Sequence, residues 1–234
     1  MNQLKFLLTL LILITSNIYS QNNNDYQFYK FRQRRILLAN WQINQLADSG
    51  ALIVRLKSNR KVIEMLKAQQ KLKTAKEVEL STYSENKKIV SAFARNYKFS
   101  KLYFMYDYSS DSLLKGFRKG FFLDTNLNRN PDIELKEKFY LIAERGSLVE
   151  SHLGLIPDSL ATKVSESGPT SKEVAIIVKN KYGIQLKHPF PYYVNGMNIN
   201  KYDIYVTKFA NKLNKFKQKS PRVEYPLDLR SYMY

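Results

Sequence analysis

Side chains that could bind or transform a ligand follow two predicted strands. Cations and one hydroxyl come directly after the first strand and form an anion-binding cluster: Arg55, Lys57, Ser58, Arg60 and Lys61. Two carboxylates, Asp107 and Asp111, come directly after the second strand and are the candidates for acid/base or metal-binding groups. In open α/β sheets, ligands bind beyond the carboxyl ends of parallel strands, where a helix N-terminus can face an anion. If these strands are parallel neighbours, the sequence predicts a ligand site at their shared edge.

The same residues also have a structural interpretation. Ser58, Ser109 and Ser110 suit helix caps, and the basic residues suit a solvated first helical turn. The sequence contains no GxGxxG and no GxxxxGK[ST] phosphate loop, and it has no GxSxG nucleophile motif. No sequence motif therefore identifies catalytic residues.

Metal sites receive little support. The segment 124–132 (DTNLNRNPD) alternates oxygen side chains like the start of a calcium loop. Its sixth position is Arg129 where glycine is needed, and its twelfth is Leu135 where a bidentate Glu is needed, so we interpret it as a polar connection. His152 and His188 show neither HxxxH nor HxH spacing, and the chain has no Cys. We expect no metal and no cofactor.

An aromatic segment near the C-terminus, 188–194 (HPFPYYV), offers a second kind of site. Its two prolines fix an extended path, so Phe190, Tyr192 and Tyr193 could present flat faces to sugars or to a partner chain. Alternatively the segment connects a strand to a helix and packs its aromatic side chains into the core, because aromatic residues bury large areas.

The elements that position these residues alternate between strand and helix. Hydrophobic periodicity and turn signals predict the following order up to residue 108: a helix over 25–48, a strand over 51–57, a helix over 59–80, a break near Ser81-Thr82, a second helix ending near Tyr97, and a strand over 102–108. Two strands joined by so long a helical crossover form a right-handed βαβ unit with parallel strands.

The second half of the chain is predicted to contain shorter elements. We expect strands over 120–124, 139–144 and 174–178, a hairpin turn at 179–183 into a strand over 184–187, and a helix over 199–218. Residues 147–172 are predicted as loop, and the tail 220–234 as extended or disordered. The prediction is therefore a single α/β domain over 21–219, a sandwich with a mixed sheet containing a parallel βαβ unit.

The element order is similar to that of thioredoxin-like and other small α/β sandwiches. Such an analogy of order carries no activity. Where a thioredoxin has its CxxC pair after the first strand, this chain has Ser58-Asn59-Arg60-Lys61, so disulfide exchange is excluded.

Residues 1–20 have the pattern of a cleavable signal peptide. Lys5 precedes a nine-residue run, FLLTLLILI, and a polar stretch with Ser20 before the expected cleavage follows. The run is too short to span a bilayer, which takes about 20 apolar residues. We therefore expect an exported protein, periplasmic or secreted, without a transmembrane segment in the mature chain. An uncleaved N-terminal anchor is the alternative.

The net charge is strongly positive. Lys and Arg number 38 against 20 Asp and Glu, a formal charge of +18. Such an excess favours anionic partners, for example phosphates, acidic glycans or lipid head groups. Alternatively it reflects lysines scattered over solvated helix faces. We do not expect nucleic acid as the partner of an exported protein.

Three stretches resemble uncharacterised exported proteins of Bacteroidetes bacteria: GALIVRLK at 50–57, LYFMYDYS at 102–109 and IQLKHPFPYYV at 184–194. The resemblance implies an exported fold of the same kind, and it brings no activity or site residues with it. The first hypothesis is thus a basic, non-catalytic binding or accessory protein of the cell envelope that engages an anionic or protein partner. The alternative is a hydrolase acting on phosphate or glycan substrates at the carboxyl ends of the parallel strands.

Overall fold

The computed structural model describes residues 32–147, 174–195 and 201–223. The predictions for the leader, for the loop from residue 148, for His152 and for the tail from residue 224 lie outside these residues. The helices are α1 (32–48), α2 (Arg60–Ala68), α3 (Leu72–Asn96), α4 (Ser110–Leu114) and α5 (Tyr202–Lys219). The strands are β1 (Ala51–Leu56), β2 (Lys101–Tyr106), β3 (Phe122–Leu123), β4 (Tyr140–Ser147), β5 (Val174–Lys179) and β6 (Tyr193–Asn195). A 3₁₀ turn, Asp107–Ser109, joins β2 to α4.

The strands form one mixed sheet in the order β3-β2-β1-β4-β5-β6. Strand β1 is parallel to β2 on one side and to β4 on the other, with Ala51 in register with Lys101 and Tyr140. The three outer pairings are antiparallel. The predicted α/β class, with a mixed sheet containing a parallel βαβ unit, is confirmed.

The apolar run of β1 is explained by burial on both faces of the sheet, as expected for a central parallel strand. The buried apolar side chains form two clusters, a larger core and a smaller core. Leu52, Val54 and Leu56 belong to the larger core, whereas Ala51 and Ile53 belong to the smaller core. The larger core packs under α1, α3 and α5, and the smaller one packs under α4 and the segment 115–137. Side chains of the three covering helices meet there, and Tyr97 stacks on Phe209 with ring centroids 6.1 Å apart.

The long crossover is divided differently from the prediction. The break falls at residues 69–71, and α3 runs through Ser81 and Thr82 without interruption. The Lys71 N–H bonds to the Leu66 carbonyl at 2.9 Å, and Gln70 has a φ of 58°. This left-handed helix ending usually uses glycine, so a glutamine there gave no sequence signal. Thr82 is buried, where its hydroxyl accepts a hydrogen bond from Asn59 at 2.8 Å.

The second half of the chain also departs from the prediction at one strand. The turn at 180–183 is present, with Gly183 at a φ of 79° and the Asn180 N–H bonded to the Ile184 carbonyl. Residues 184–187, however, make only an isolated bridge between Lys179 and Gln185. The strand that pairs with β5 is instead β6, formed by residues predicted to lie in a connector.

Helix α3 is longer than the sheet is deep, and its first half projects beyond it. The Asn86 amide donates to the Lys57 carbonyl at 2.8 Å, which places Asn86 level with the end of β1. Residues 72–85 precede that level, and at roughly 1.5 Å per residue they extend about 20 Å past it. Helix α2 buries none of its side chains and packs against this overhang. We call α2 with residues 72–85 the α2–α3 hairpin.

The junction of α1 with β1 yields a stability prediction. A Cβ at Gly50 would lie 2.8 Å from both the Gln45 carbonyl oxygen and the Leu46 Cα, which are backbone atoms that cannot yield cheaply. We expect Gly50→Ala to lower the free energy of unfolding by about 2–3 kcal/mol, measured by urea denaturation. The matched control Ser49→Ala, at an exposed neighbour, should change little. Equal midpoints for both variants would contradict the tight junction.

Tyr97 yields a pH prediction. It is buried, its hydroxyl lies 2.8 Å from Ser100 Oγ, and burial raises its pKa above the ordinary value of 10. Stability from this group is therefore present below about pH 10 and is lost as the pH rises further, because unfolding then releases a proton. Tyr97→Phe should lose about 1 kcal/mol at pH 8 and show a shallower decline from pH 10 to 11. An identical decline would contradict this assignment.

Candidate functional site

The two predicted groups of polar side chains lie together at the carboxyl edge of β1 and β2. The Ser58 N–H donates to Asp107 Oδ1 at 3.2 Å, and Arg55 Nη1 donates to Ser110 Oγ at 3.2 Å. This meeting follows from the parallel register, in which Leu56 stands beside Tyr106. The predicted meeting of cations, hydroxyls and a carboxylate is therefore present.

The Asp107 carboxylate accepts hydrogen bonds from two backbone N–H groups. Besides the Ser58 N–H, its Oδ1 accepts the Tyr108 N–H at 2.9 Å, and the Ser110 hydroxyl donates to the Asp107 carbonyl at 2.6 Å. Asp111 is exposed in the first turn of α4. The Asp107 carboxylate thus stabilises the start of the 3₁₀ turn, and Asp111 lies in the first turn of α4, where a negative charge is favourable. Of the three serines interpreted as helix caps, only Ser58 accepts a backbone N–H at a helix start, from Arg60. The N-cap of α2 is Asn59, and Ser109 makes no side-chain cap bond.

Arg55 belongs to an ion-pair cluster and not to an open anion site. Its guanidinium pairs with Glu144 of β4, and Lys179 of β5 contacts the same carboxylate at 2.7 Å. The Glu144 side chain is only 11% exposed. Because Glu144 is shared by two cations from neighbouring strands, the cluster ties β1, β4 and β5 together.

The remaining members of the predicted anion-binding cluster point into different environments. The backbone N–H of Arg60 donates to Ser58 Oγ at 3.3 Å. The Arg60 side chain pairs with Glu64, one helical turn further along, at 2.7 Å. Lys57 and Lys61 are exposed. The five residues of the predicted anion-binding cluster therefore do not converge on one anion.

A groove of about 380 Å³ opens beside these residues, between the two helices of the α2–α3 hairpin and the end of β2. Its aromatic lining consists of Tyr83, Tyr106 and Tyr108. The polar and aliphatic lining consists of Ser58, Arg60, Ile63, Glu64, Lys67, Glu79, Thr82 and Asn86. We call this site the tyrosine groove.

Tyr106 and Tyr108 form the platform of the tyrosine groove. Their rings stack with centroids 5.4 Å apart and planes 23° from parallel, and Tyr108 is exposed. Burial, followed by the neighbouring tyrosines, raises the pKa of Tyr106. A tyrosine with a raised pKa keeps its proton at neutral pH, so its hydroxyl can donate as well as accept a hydrogen bond.

The charges that line the groove balance one another, whereas those around it do not. Arg60 and Lys67 oppose Glu64 and Glu79, giving 2 − 2 = 0. Over 57–84, seven Lys and Arg face three Glu, so the surrounding surface carries 7 − 3 = +4. The site is therefore a neutral aromatic and hydrogen-bonding groove within a cationic surface.

A second charged cluster lies on the larger-core side of the sheet. Arg145 Nη1 pairs with Glu85 at 2.7 Å, and the same carboxylate accepts the Tyr202 hydroxyl at 2.7 Å. Burial and the Glu85 carboxylate raise the pKa of Tyr202. The neighbouring void, lined in part by Ile89 and Phe93, holds only about 10 Å³. That is no more than one water, so the cluster joins β4, α3 and α5 rather than binding a ligand.

The segment 124–132 folds as a polar turn. Asp124 Oδ1 accepts the N–H groups of Asn126 and Asn128 at 2.8 Å each, and Arg129 donates to the Gly120 carbonyl. Lys87 Nζ lies 3.1 Å from Asn126 Oδ1. Cations thus surround the oxygens that a metal would need. In the part of the chain that is described, no three His, Asp or Glu side chains are arranged to hold a metal ion.

The aromatic segment near the C-terminus is mostly core. Phe190 and Tyr192 are buried, and Phe190 packs edge-on against Phe216. Tyr193 is half-buried in β6, with Lys212 Nζ 5.2 Å from its ring centroid. This corrects the expectation that the three form a surface for partners. The backbone carbonyl of His188 accepts a 2.6 Å hydrogen bond from Arg35 of α1.

The tyrosine groove itself was not anticipated from the sequence. Tyr106 and Tyr108 lie in a run, LYFMYDY, that is predicted as an aromatic strand, and Tyr83 follows the predicted helix break near Ser81-Thr82. The available signal was three tyrosines close to the ends of the two strands that the sequence predicts to be parallel.

Comparison of the chain with family models, with curated protein sequences and with solved structures finds no match. Among the helices in the described ranges, none combines the length and apolar character needed to cross a membrane. The resemblance to exported Bacteroidetes proteins stays a prediction.

The ion-pair cluster gives a prediction that separates structure from binding. Glu144→Ala leaves Arg55 and Lys179 facing each other without their shared carboxylate. We expect a loss of about 2–4 kcal/mol in the free energy of unfolding, measured by urea denaturation. The double variant Arg55→Met/Glu144→Leu should recover part of that loss, because it removes one of the two cations left without a carboxylate and leaves only Lys179. If Glu144→Ala is as stable as the wild type, the cluster is not structural.

Proposed function

We propose that this protein is an exported, non-catalytic binding protein of the cell envelope that holds an acidic glycan in the tyrosine groove. The observation that carries the proposal is an open groove of about 380 Å³ with three tyrosines in its lining and uncompensated lysines around it. Export rests on the predicted signal peptide, residues 1–20.

The lining supports a sugar chain as the ligand. Aromatic rings pack against the apolar faces of sugar rings, and the stacked pair Tyr106 and Tyr108 offers such a surface beside the half-exposed Tyr83. Ser58, Thr82 and Asn86 supply hydroxyl and amide groups that can pair with sugar hydroxyls. A few polar groups among aromatic walls are typical of small-ligand sites.

The surrounding charge supports acidic substituents on that chain. Lys57 before the hairpin, Lys71 in its turn, and Lys61 and Lys73 on its helices are exposed and lie outside the groove lining. Lysines placed around a neutral groove raise the local concentration of a polyanion and accelerate its association. Their contribution is expected to weaken with added salt, since exposed charges are screened.

The hydrolase alternative lacks a supporting observation among the described residues. Asp107 accepts two backbone N–H bonds, and neither it nor Asp111 lines the groove. The acids that do line it, Glu64 and Glu79, pair with Arg60 and Lys76. Binding without turnover is therefore the function that we favour.

Tyr108 provides the test. We expect the exported wild-type chain to bind polygalacturonate in isothermal titration calorimetry at 50 mM salt, and Tyr108→Ala to bind about tenfold more weakly, the effect of losing one stacking ring. The control Tyr182→Ala removes an exposed tyrosine that is outside the groove lining and should bind like the wild type.

Two outcomes would overturn the proposal. Equal losses in Tyr108→Ala and Tyr182→Ala, or no binding by the wild type to any acidic or neutral polysaccharide tried, would exclude the groove as a glycan site. Release of new reducing ends from the polysaccharide, abolished in Asp107→Asn, would instead establish the hydrolase alternative.

A further inference from the structure

Exposed apolar side chains are concentrated at one end of the molecule. Twelve large apolar or aromatic side chains are exposed in the described ranges, and eight lie in the hairpin or between Tyr106 and Phe121: Val62, Met65, Leu72, Leu80, Tyr83, Tyr108, Leu114 and Phe117. Both segments lie at the carboxyl edge of the parallel strands, because α2 follows β1 and α4 follows β2. Scattered exposed apolar residues are ordinary, but a concentration at one edge indicates an interaction surface.

The tip of the α2–α3 hairpin combines apolar side chains with lysines. Met65 is 52% exposed and Leu72 is 65% exposed, on either side of the turn at 69–71. Residues 65–76 contain four Lys and no acidic residue, and one of the four, Lys76, pairs with Glu79. The tip therefore presents apolar side chains surrounded by positive charge.

The turn after α4 repeats this pattern. Leu114 is 57% exposed and Phe117 is 60% exposed, and Lys115 and Lys119 are exposed around them. Gly116, at a φ of 90°, allows the reversal that leaves both apolar side chains at the surface. Strand β3 returns antiparallel to β2, with Phe122 beside Met105, which places this turn at the same edge as the hairpin.

We propose that this edge docks on an anionic phospholipid bilayer, with Met65, Leu72 and Phe117 entering the interface and lysines contacting the head groups. The proposal goes beyond the glycan site, since Met65, Leu72, Lys71, Lys73 and Phe117 do not line the tyrosine groove. The docking is peripheral, and it requires no membrane-spanning segment.

The combination of groups favours a lipid surface over an acidic protein or a glycan. Basic segments are drawn to anionic bilayers by roughly 1 kcal/mol per Lys or Arg near the surface, and apolar side chains of an interfacial helix insert between head groups. A hydrophilic polyanion would use the lysines alone and leave Met65, Leu72 and Phe117 in water.

The test uses the chain purified after export, because a retained leader could itself bind lipid. We expect it to sediment with vesicles of 30% phosphatidylglycerol in phosphatidylcholine and not with pure phosphatidylcholine vesicles. The double variant Lys71→Glu/Lys73→Glu should partition at least about 25-fold more weakly, roughly fivefold for each lysine lost and further from the added glutamates. The control Lys215→Glu/Lys219→Glu changes the net charge equally at two exposed positions of α5 and should partition nearly like the wild type.

A second experiment, tryptophan fluorescence, measures insertion of the apolar side chains into the bilayer. A tryptophan in Leu72→Trp should shift its emission to shorter wavelength with the anionic vesicles, whereas one in Ile204→Trp, at another exposed apolar position on α5, should not. The native Trp41 contributes the same background to both variants. Together, sedimentation and this shift support docking through the hairpin tip.

The overturning results are equally specific. Failure of the wild type to sediment with the anionic vesicles, equal losses in the two charge variants, or equal emission shifts at positions 72 and 204 would each reject docking at this edge. Polygalacturonate binding by the Leu72→Trp variant, which should match that of the wild type, keeps the two proposals distinguishable, because Leu72 neither lines the groove nor carries charge.

Discussion

The parallel pairing of β1 with β2 and β4 is the constraint on which the site depends. Two parallel neighbours must be joined by a crossover that returns the chain to the same starting edge, and here α2 and α3 form it. Helix α3 is longer than is needed to span the sheet from the end of β1 back to the start of β2. Its first half, residues 72–85, therefore projects beyond the carboxyl ends of the strands. The pairing also brings Ser58 next to Asp107, which fixes the wall of the tyrosine groove formed by the end of β2. The groove and the projecting hairpin thus follow from one topological choice.

The positive charge of the chain has two different roles. Three cations on the strands are paired within the fold: Arg55 and Lys179 share Glu144, and Arg145 pairs with Glu85, which leaves 3 − 2 = +1. Because these groups are largely buried, their pairing stabilises the sheet edge and leaves little field outside it. The lysines of the α2–α3 hairpin, in contrast, stand in water and exceed the nearby glutamates. A partner would therefore sense the charge of the hairpin more than the charge of the whole chain.

The sequence predicted the central sheet well because its signals are local. Four consecutive apolar residues in β1 and the length of the crossover were sufficient for the parallel unit. The sequence-based prediction was wrong where the structure depends on contacts between residues that are distant in sequence. Thr82 is predicted to lie in a break, yet it lies within α3, where it is buried and accepts a hydrogen bond from Asn59. The strand that pairs with β5 comes from residues 193–195. The predicted anion-binding cluster does not form because Arg55 pairs with Glu144. Glu144 lies 89 residues further along the chain, so the sequence pattern around Arg55 did not indicate this pairing. The sequence does not predict the tyrosine groove, because the alternation of apolar residues along a strand does not show which of its side chains will line an open groove at the edge of the sheet.

The central claim is that the ligand lies in the groove between the α2–α3 hairpin and the end of β2. Hydrogen–deuterium exchange of the exported chain, with and without saturating polygalacturonate, tests it most directly. The account predicts slower exchange in residues 58–67, 79–86 and 106–108, with 121–135 and 202–219 unchanged. Protection confined to the latter two segments, or the same exchange throughout the chain with and without the polysaccharide, would contradict it.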